Sequence, residues 1–247
     1  MKNGFCVQKW KDGKTMTGYF LKDKMNGWAK IDNLEVLIKG EFKDGFLNGY
    51  GEVLKHEENV LYVGYWIKGV FGGVGYEQGS NYIYFGNFIN DKKDGYGKQI
   101  WDDKDVYEGE WKDNDFNGYG IYSYHNGKKY VGQFKNSEKN GVGELSFPEG
   151  KKYVGYFKNG LHHGFGIYYL KKENVIISFW NEGKRHGLGK YIHNEKIYYQ
   201  IWEDNKPIEK DMKETVFMDK FDDNIKKYRH MFKLNINEIM KFLDINE

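Results

Sequence analysis

Residues 107–129 read YEGEWKDNDFNGYGIYSYHNGKK, and residues 130–152 directly after them read YVGQFKNSEKNGVGELSFPEGKK. Both stretches open on Tyr-x-Gly-x-aromatic, cross a polar segment to Gly-x-Gly, and close on Gly-Lys-Lys. Strand alternation places Tyr107, Gly109 and Trp111 on one side and Glu108, Glu110 and Lys112 on the other. The polar residues 113–118 carry turn formers and reverse the chain. A second strand is expected from Gly118 through Tyr124. His125-Asn126-Gly127 closes it, because Asn-Gly readily takes the positive φ of a tight turn. One unit is a β-hairpin plus a return turn.

Outward from this stretch the ring position recurs at Phe20, Phe42, Trp66, Phe88, Trp111, Phe134, Phe157, Trp180 and Trp202, at steps of 22 to 24 residues. Glycine stands two places earlier in all but the last two copies, where Ser178 and Gln200 replace it. The second glycine pair recurs from Gly49/Gly51 to Gly187/Gly189, and the first copy departs with Gly27-Trp28-Ala29. Self-similarity at this period signals a stacked array. Units this short do not make propeller blades, which need about 40 residues or more. Mid-strand glycine offers no side chain to pack, but it leaves a flat site for a neighbouring ring. The expectation is that rings of each hairpin cover the glycines of the next, so that no unit buries its face alone. At about 4.8 Å per strand, each repeat advances about 10 Å and the array about 80 Å.

These residues resemble the MORN family (membrane occupation and recognition nexus), whose unit is a β-hairpin opening on Tyr-x-Gly-x-Trp and turning through Gly-x-Gly. The resemblance covers roughly residues 1–203, about eight full repeats with partial terminal ones. It implies an all-β, elongated, single twisted antiparallel sheet of stacked hairpins. Tyr198-Tyr199-Gln200-Ile201-Trp202 reads as a final lone strand. The resemblance further implies a scaffold near membranes or cytoskeleton. Some arrays of the family are fused to lipid kinases or methyltransferases, and no such catalytic region is recognisable here.

Composition narrows the function classes. Lys plus Arg number 38 against 36 for Asp plus Glu, a net charge of +2 that predicts no nucleic-acid partner. The single cysteine, Cys6, excludes an internal disulfide and suits a reducing compartment. The opening residues lead into no apolar signal core, and the expected location is the cytoplasm, with peripheral membrane or cytoskeletal association. His162, His163 and His186 fall on repeat turns, where equivalent positions are about 10 Å apart, too far to share a metal. No carboxylate pair, phosphate-binding loop or nucleophile motif is present, so neither an enzyme nor a cofactor is expected.

Residues 204–247 lose the glycines. Met212, Val216, Phe217, Phe221, Ile225, Tyr228 and Phe232 recur at three- to five-residue steps, predicting an amphipathic helical tail. Phe217, Phe221 and Ile225 are expected to lie on Ile177, Phe179, Tyr199 and Ile201, capping the array; the alternative is a helix that recruits a partner. The second sheet face is charged in some copies (Lys39, Glu41, Lys43; Glu108, Glu110, Lys112) and apolar in others. Val63, Tyr65, Ile67, Phe85 and Ile89 form an apolar stretch with no obvious internal cover, a candidate docking site for a protein or peptide partner. Two alternatives belong to other classes: an anionic phospholipid held by Lys128, Lys129, Lys151, Lys152, Lys171 and Lys172, and a self-associating homodimer.

Overall fold

The structure is a computed structural model that describes residues 1–170, 174–210, 212, 213 and 216. Among the described residues, nineteen strands form open antiparallel β-sheet. The chain divides into two compact units, Met1–Phe116 and Asn117–Glu247.

In the first unit, β1 (Gly4–Lys9), β2 (Thr15–Leu21), β3 (Lys24–Asp32), β4 (Val36–Lys43), β5 (Phe46–Lys55), β6 (Val60–Ile67), β7 (Val70–Gln78), β8 (Tyr82–Ile89), β9 (Lys92–Trp101) and β10 (Val106–Lys112) follow one another. From β2 to β10, each strand pairs with the one before it along the chain. β11 (Asp115–Ser123) begins at the end of this unit and runs into the second. There, β12 (Lys129–Lys135), β13 (Glu138–Ser146), β14 (Lys152–Lys158), β15 (Leu161–Tyr169), β16 (Val175–Asn181), β17 (Lys184–His193), β18 (Lys196–Glu203) and β19 (Lys206–Glu209) continue the same rule.

The hairpin turns are tighter than the sequence implies. β11 starts at Asp115 rather than Gly118, because Asp113 and Asn114, at φ 50° and 75°, reverse the chain alone. Two successive residues at positive φ match the right-handed twist of the flanking strands, and Asn and Asp tolerate that region. The equivalent residues of the β8/β9 hairpin sit in a bulge. In β8/β9 the register passes from Gly86↔Gly97 to Phe88↔Lys93, and the Asn87 amide nitrogen donates to the Tyr96 carbonyl at 3.0 Å across it. β18 is not a lone strand: Asp204 and Asn205 turn it into β19, so the ladder continues past residue 203.

Successive hairpins are tied turn to turn. The second turn residue donates its N–H to the hairpin before: Asp91 to the Phe71 carbonyl at 3.0 Å, Asn114 to Lys93 at 3.0 Å, Gly183 to His162 at 2.9 Å and Asn205 to Arg185 at 3.0 Å. Where that residue is Asp or Asn, its side chain accepts in return. Asp91 Oδ1 takes the Phe71 amide at 2.7 Å, and Asn114 Oδ1 takes that of Lys93 at 2.9 Å.

The inner face is aromatic. Tyr84, Tyr107, Tyr130 and Tyr153 are fully buried, and each hydroxyl donates to the carbonyl three residues on, at 2.8–3.2 Å. The Tyr84 ring lies over Gly86 of its own strand and Gly97 of the paired strand. A Cβ on Gly97 would stand 2.5 Å from Tyr84 Cζ, and one on Gly86 would stand 2.5 Å from Gly97 Cα. The tyrosine therefore covers glycines of its own hairpin, not those of the next one. Contact between successive hairpins comes from the ring two residues after the leading position. Trp111 meets Tyr84 edge-on at 5.1 Å, and its Nε1–H donates back to the Gly97 carbonyl at 3.1 Å. Phe157 meets Tyr130 at 5.0 Å and Trp180 meets Tyr153 at 5.5 Å in the same way. Edge-to-face pairs of this kind add roughly 0.5–1.5 kcal/mol each beyond their buried area.

Candidate docking surface

A second periodic position lies among these rings, two residues before each turn glycine. It is Met25, Leu47, Phe71, Lys93, Phe116, Lys139, His162 and Arg185. The side chain slides between rings, as Phe71 does 4.5 Å from Phe88 and 4.7 Å from Trp66. Because its residue types differ, hydrophobic periodicity does not reveal it; the fixed offset from the turn glycine does.

Lys93 is the buried cation of the first unit. Its Nζ donates to Gln99 Oε1 at 2.7 Å, stands 3.7 Å from Glu77 Oε2, and lies 4.1 Å from the centroid of Tyr82. The Tyr82 hydroxyl donates to Glu77 in turn. Burial lowers Lys93 to about 8, against the opposing pull of Glu77. In the second unit His162 stacks on Tyr153 at 3.8 Å and meets Trp180 at 5.2 Å. Burial, with Lys139 nearby, lowers it to about 4. These groups are enclosed by aromatic neighbours, and their chemistry is that of the core.

The other face differs between the units at equivalent repeat positions. In the first, Tyr65 is 58 % and Phe85 62 % exposed, and Ile67, Val74, Ile89 and Tyr96 are also exposed. Val63 is half-buried, paired across the ladder with Tyr76, while Tyr50 meets Tyr65 edge-on at 6.0 Å. The five residues expected to form a docking stretch thus fall on β6 and β8, next to one another through β7. In the second unit Val154 is 0 % and Phe179 3 % exposed, and Val142, Ile167, Leu188 and Tyr199 are buried as well.

Ile177 and Ile201 are half-buried beside Phe179 and Tyr199. Met212 joins this surface: its side chain packs with Leu188, Tyr199 and Ile201, and its N–H donates to the Tyr199 carbonyl at 3.1 Å. Phe217, Phe221 and Ile225, expected on the same surface, lie outside the described residues, as does the helical reading of the tail beyond the single helical residue Val216.

The lysine stripe is partly engaged. Lys152 pairs with Glu144 at 3.2 Å and lies over Tyr169, and Lys128 lies over Phe147 at 5.5 Å. Lys129 is exposed and Lys151 half-buried, while Lys171 and Lys172 lie outside the described residues.

The family description of the MORN repeat matches residues 39–53, 84–106, 107–129, 130–152, 153–175 and 178–194, half of the chain. No curated protein matches the chain. Among solved structures, the chain is similar to the Drosophila melanogaster SAS-4 (dCPAP) TCP domain in complex with a proline-rich motif of Ana2, at 11% identity and a TM-score of 0.26 over 71% of this chain and 90% of that one. It is also similar to a point mutant of the Danio rerio CPAP TCP10 domain, at 9% identity and a TM-score of 0.27 over 70% and 93%.

Proposed function

The chain belongs to the MORN-repeat family, and on that premise we propose that it is a non-catalytic cytoplasmic scaffold that docks an amphipathic segment of a partner protein on the outer face of its first unit. The contact residues are Val63, Tyr65, Ile67, Phe85 and Ile89. One observation carries this reading: repeat positions that are buried in the second unit are open in the first, with Phe85 exposed where Val154 is enclosed. A surface left to water does not accumulate adjacent Tyr, Ile and Phe. Met212 packs on the enclosed face, and the sequence after it has helical apolar periodicity, so an amphipathic helix is the kind of occupant the repeat surface suits. Residues 214–247 are the proposed cover of Ile177, Phe179, Tyr199 and Ile201.

Affinity capture comparing the wild-type chain with a Tyr65→Glu/Phe85→Glu double variant tests the reading. Partner recovery is expected to fall at least about tenfold with the fold intact, as for loss of two central aromatic anchors. Unchanged recovery overturns it. Mass that rises with protein concentration in light scattering would make a second copy of the chain the occupant. The pairing of Lys152 with Glu144 disfavours the lysine stripe as a lipid site.

A further inference from the structure

Three asparagines of the first unit share one task. Asn3 Oδ1 accepts the Lys22 amide at 2.9 Å, Asn26 Oδ1 that of Asp44 at 3.3 Å, and Asn48 Oδ1 that of Lys68 at 3.2 Å. Each stands directly before a turn glycine, and each receives the first residue of the following hairpin turn. At the next recurrence the residue before Gly73 is Gly72. The corresponding amide, that of Asn90, has no acceptor among the described residues.

Neither space nor backbone requires glycine at 72. A Cβ there would meet only the Phe88 carbonyl oxygen, at 3.8 Å, and its φ lies outside the left-handed region. An open groove of about 410 Å³ lies at this position, and Ile67, Lys68, Val70, Gly72, Ile89 and Asn90 are among its lining residues. Lys68 is exposed and makes no ion pair among the described residues, whereas Lys92, just after the following hairpin turn, is held by Asp113 at 2.9 Å.

We infer that this groove receives an aspartate side chain from the docked partner segment. Its carboxylate takes the Asn90 N–H where Asn48 takes that of Lys68, and a neighbouring apolar side chain lies against Ile67 and Ile89. Lys68 favours carboxylate over carboxamide by charge. The inference rests on the docking reading above and adds the chemistry of the occupant.

The test uses a phage-displayed library of random peptides selected on the full chain. The expected result is a set of peptides sharing an aspartate beside Leu, Ile or Phe. A synthetic copy of the strongest should lose about tenfold or more in affinity on Gly72→Asn, while thermal stability holds or rises because the new asparagine restores the repeat bond. Binding lost with both Gly72→Asn and Tyr65→Glu/Phe85→Glu supports groove and face together. Binding lost with the double variant but kept by Gly72→Asn overturns the groove and leaves the face standing. Binding lost only with Gly72→Asn overturns the face, and with it the docked segment that supplies the aspartate. A selection yielding no peptide, or only peptides indifferent to both variants, overturns both.

Discussion

The two units place one repeat pattern under opposite conditions. Phe85 and Val154 each precede the leading glycine of a strand, yet Phe85 stands in solvent and Val154 is enclosed. Tyr65 and Phe179 contrast in the same way one position after the leading residue, Gly64 in the first unit and Ser178 in the second. Backbone pairing and inner-face aromatics are alike in both units, so the ladder sets the fold, and the outer face is left free to differ. A repeat array can thus keep one surface for its own cohesion and vary the other repeat by repeat.

The largest expected effect breaks the symmetry directly. Val154→Asp should cost about 3 kcal/mol or more, because it places a charge at a fully buried position. Phe85→Asp at the equivalent position should cost no more than about 1 kcal/mol. Denaturant titration of the two variants checks this, and equal losses would erase the contrast.

Acid should loosen the second unit. His162 is held near 4 in the fold, so between that value and its unfolded value near 6.5 the unfolded chain binds the additional proton. Stability is complete above about pH 6.5 and falls as pH drops towards 4, by up to about 3 kcal/mol. His162→Phe, which copies Phe116 at the equivalent position, should flatten this part of the pH profile.

Mild alkali should act oppositely on the first unit. Lys93 titrates near 8 when folded and near 10.5 when unfolded, so the unfolded chain again holds more protons and stability rises between those values. The rise should end near pH 10. Burial pushes Tyr62 up to about 12 and Tyr84 and Tyr107 higher, so above that pH unfolding releases tyrosine protons and stability falls. Replacing the pair with Lys93→Met and Glu77→Gln should remove the rise without unfolding the chain; a profile unchanged in the double variant contradicts the assignment. The smallest effect is expected of Tyr153→Phe, which deletes the hydroxyl bond to the Tyr156 carbonyl at a cost of about 1 kcal/mol in thermal or chemical unfolding.

Spacing alone carried much of this architecture. Rings and glycines recurring together identify the hairpin unit, and alternation assigns Tyr107, Gly109 and Trp111 to the enclosed side, as observed. The intercalated position stayed hidden because Met25, Lys93 and His162 share no chemistry, only an offset. The turn at residues 113–114 is shorter than its polar surroundings imply, since two residues at positive φ suffice and the strand resumes at Asp115. Tyr65 and Phe85 are legible as apolar outliers on a face otherwise charged at Lys39 and Glu108. The enclosure of Val142 and Val154 is not legible, because a valine in a strand reads the same whether its face is covered or bare. Gly72 is likewise silent by itself and gains meaning from the asparagines that hold its place elsewhere.

Thiol labelling tests the central contrast most directly. With Cys6→Ser as background, Tyr65→Cys and Phe179→Cys are each exposed to a maleimide under native conditions. The open face predicts reaction at Tyr65→Cys close to that of a free thiol and protection of about 100-fold or more at Phe179→Cys, where local opening must precede reaction. Comparable labelling at the two positions would contradict the account.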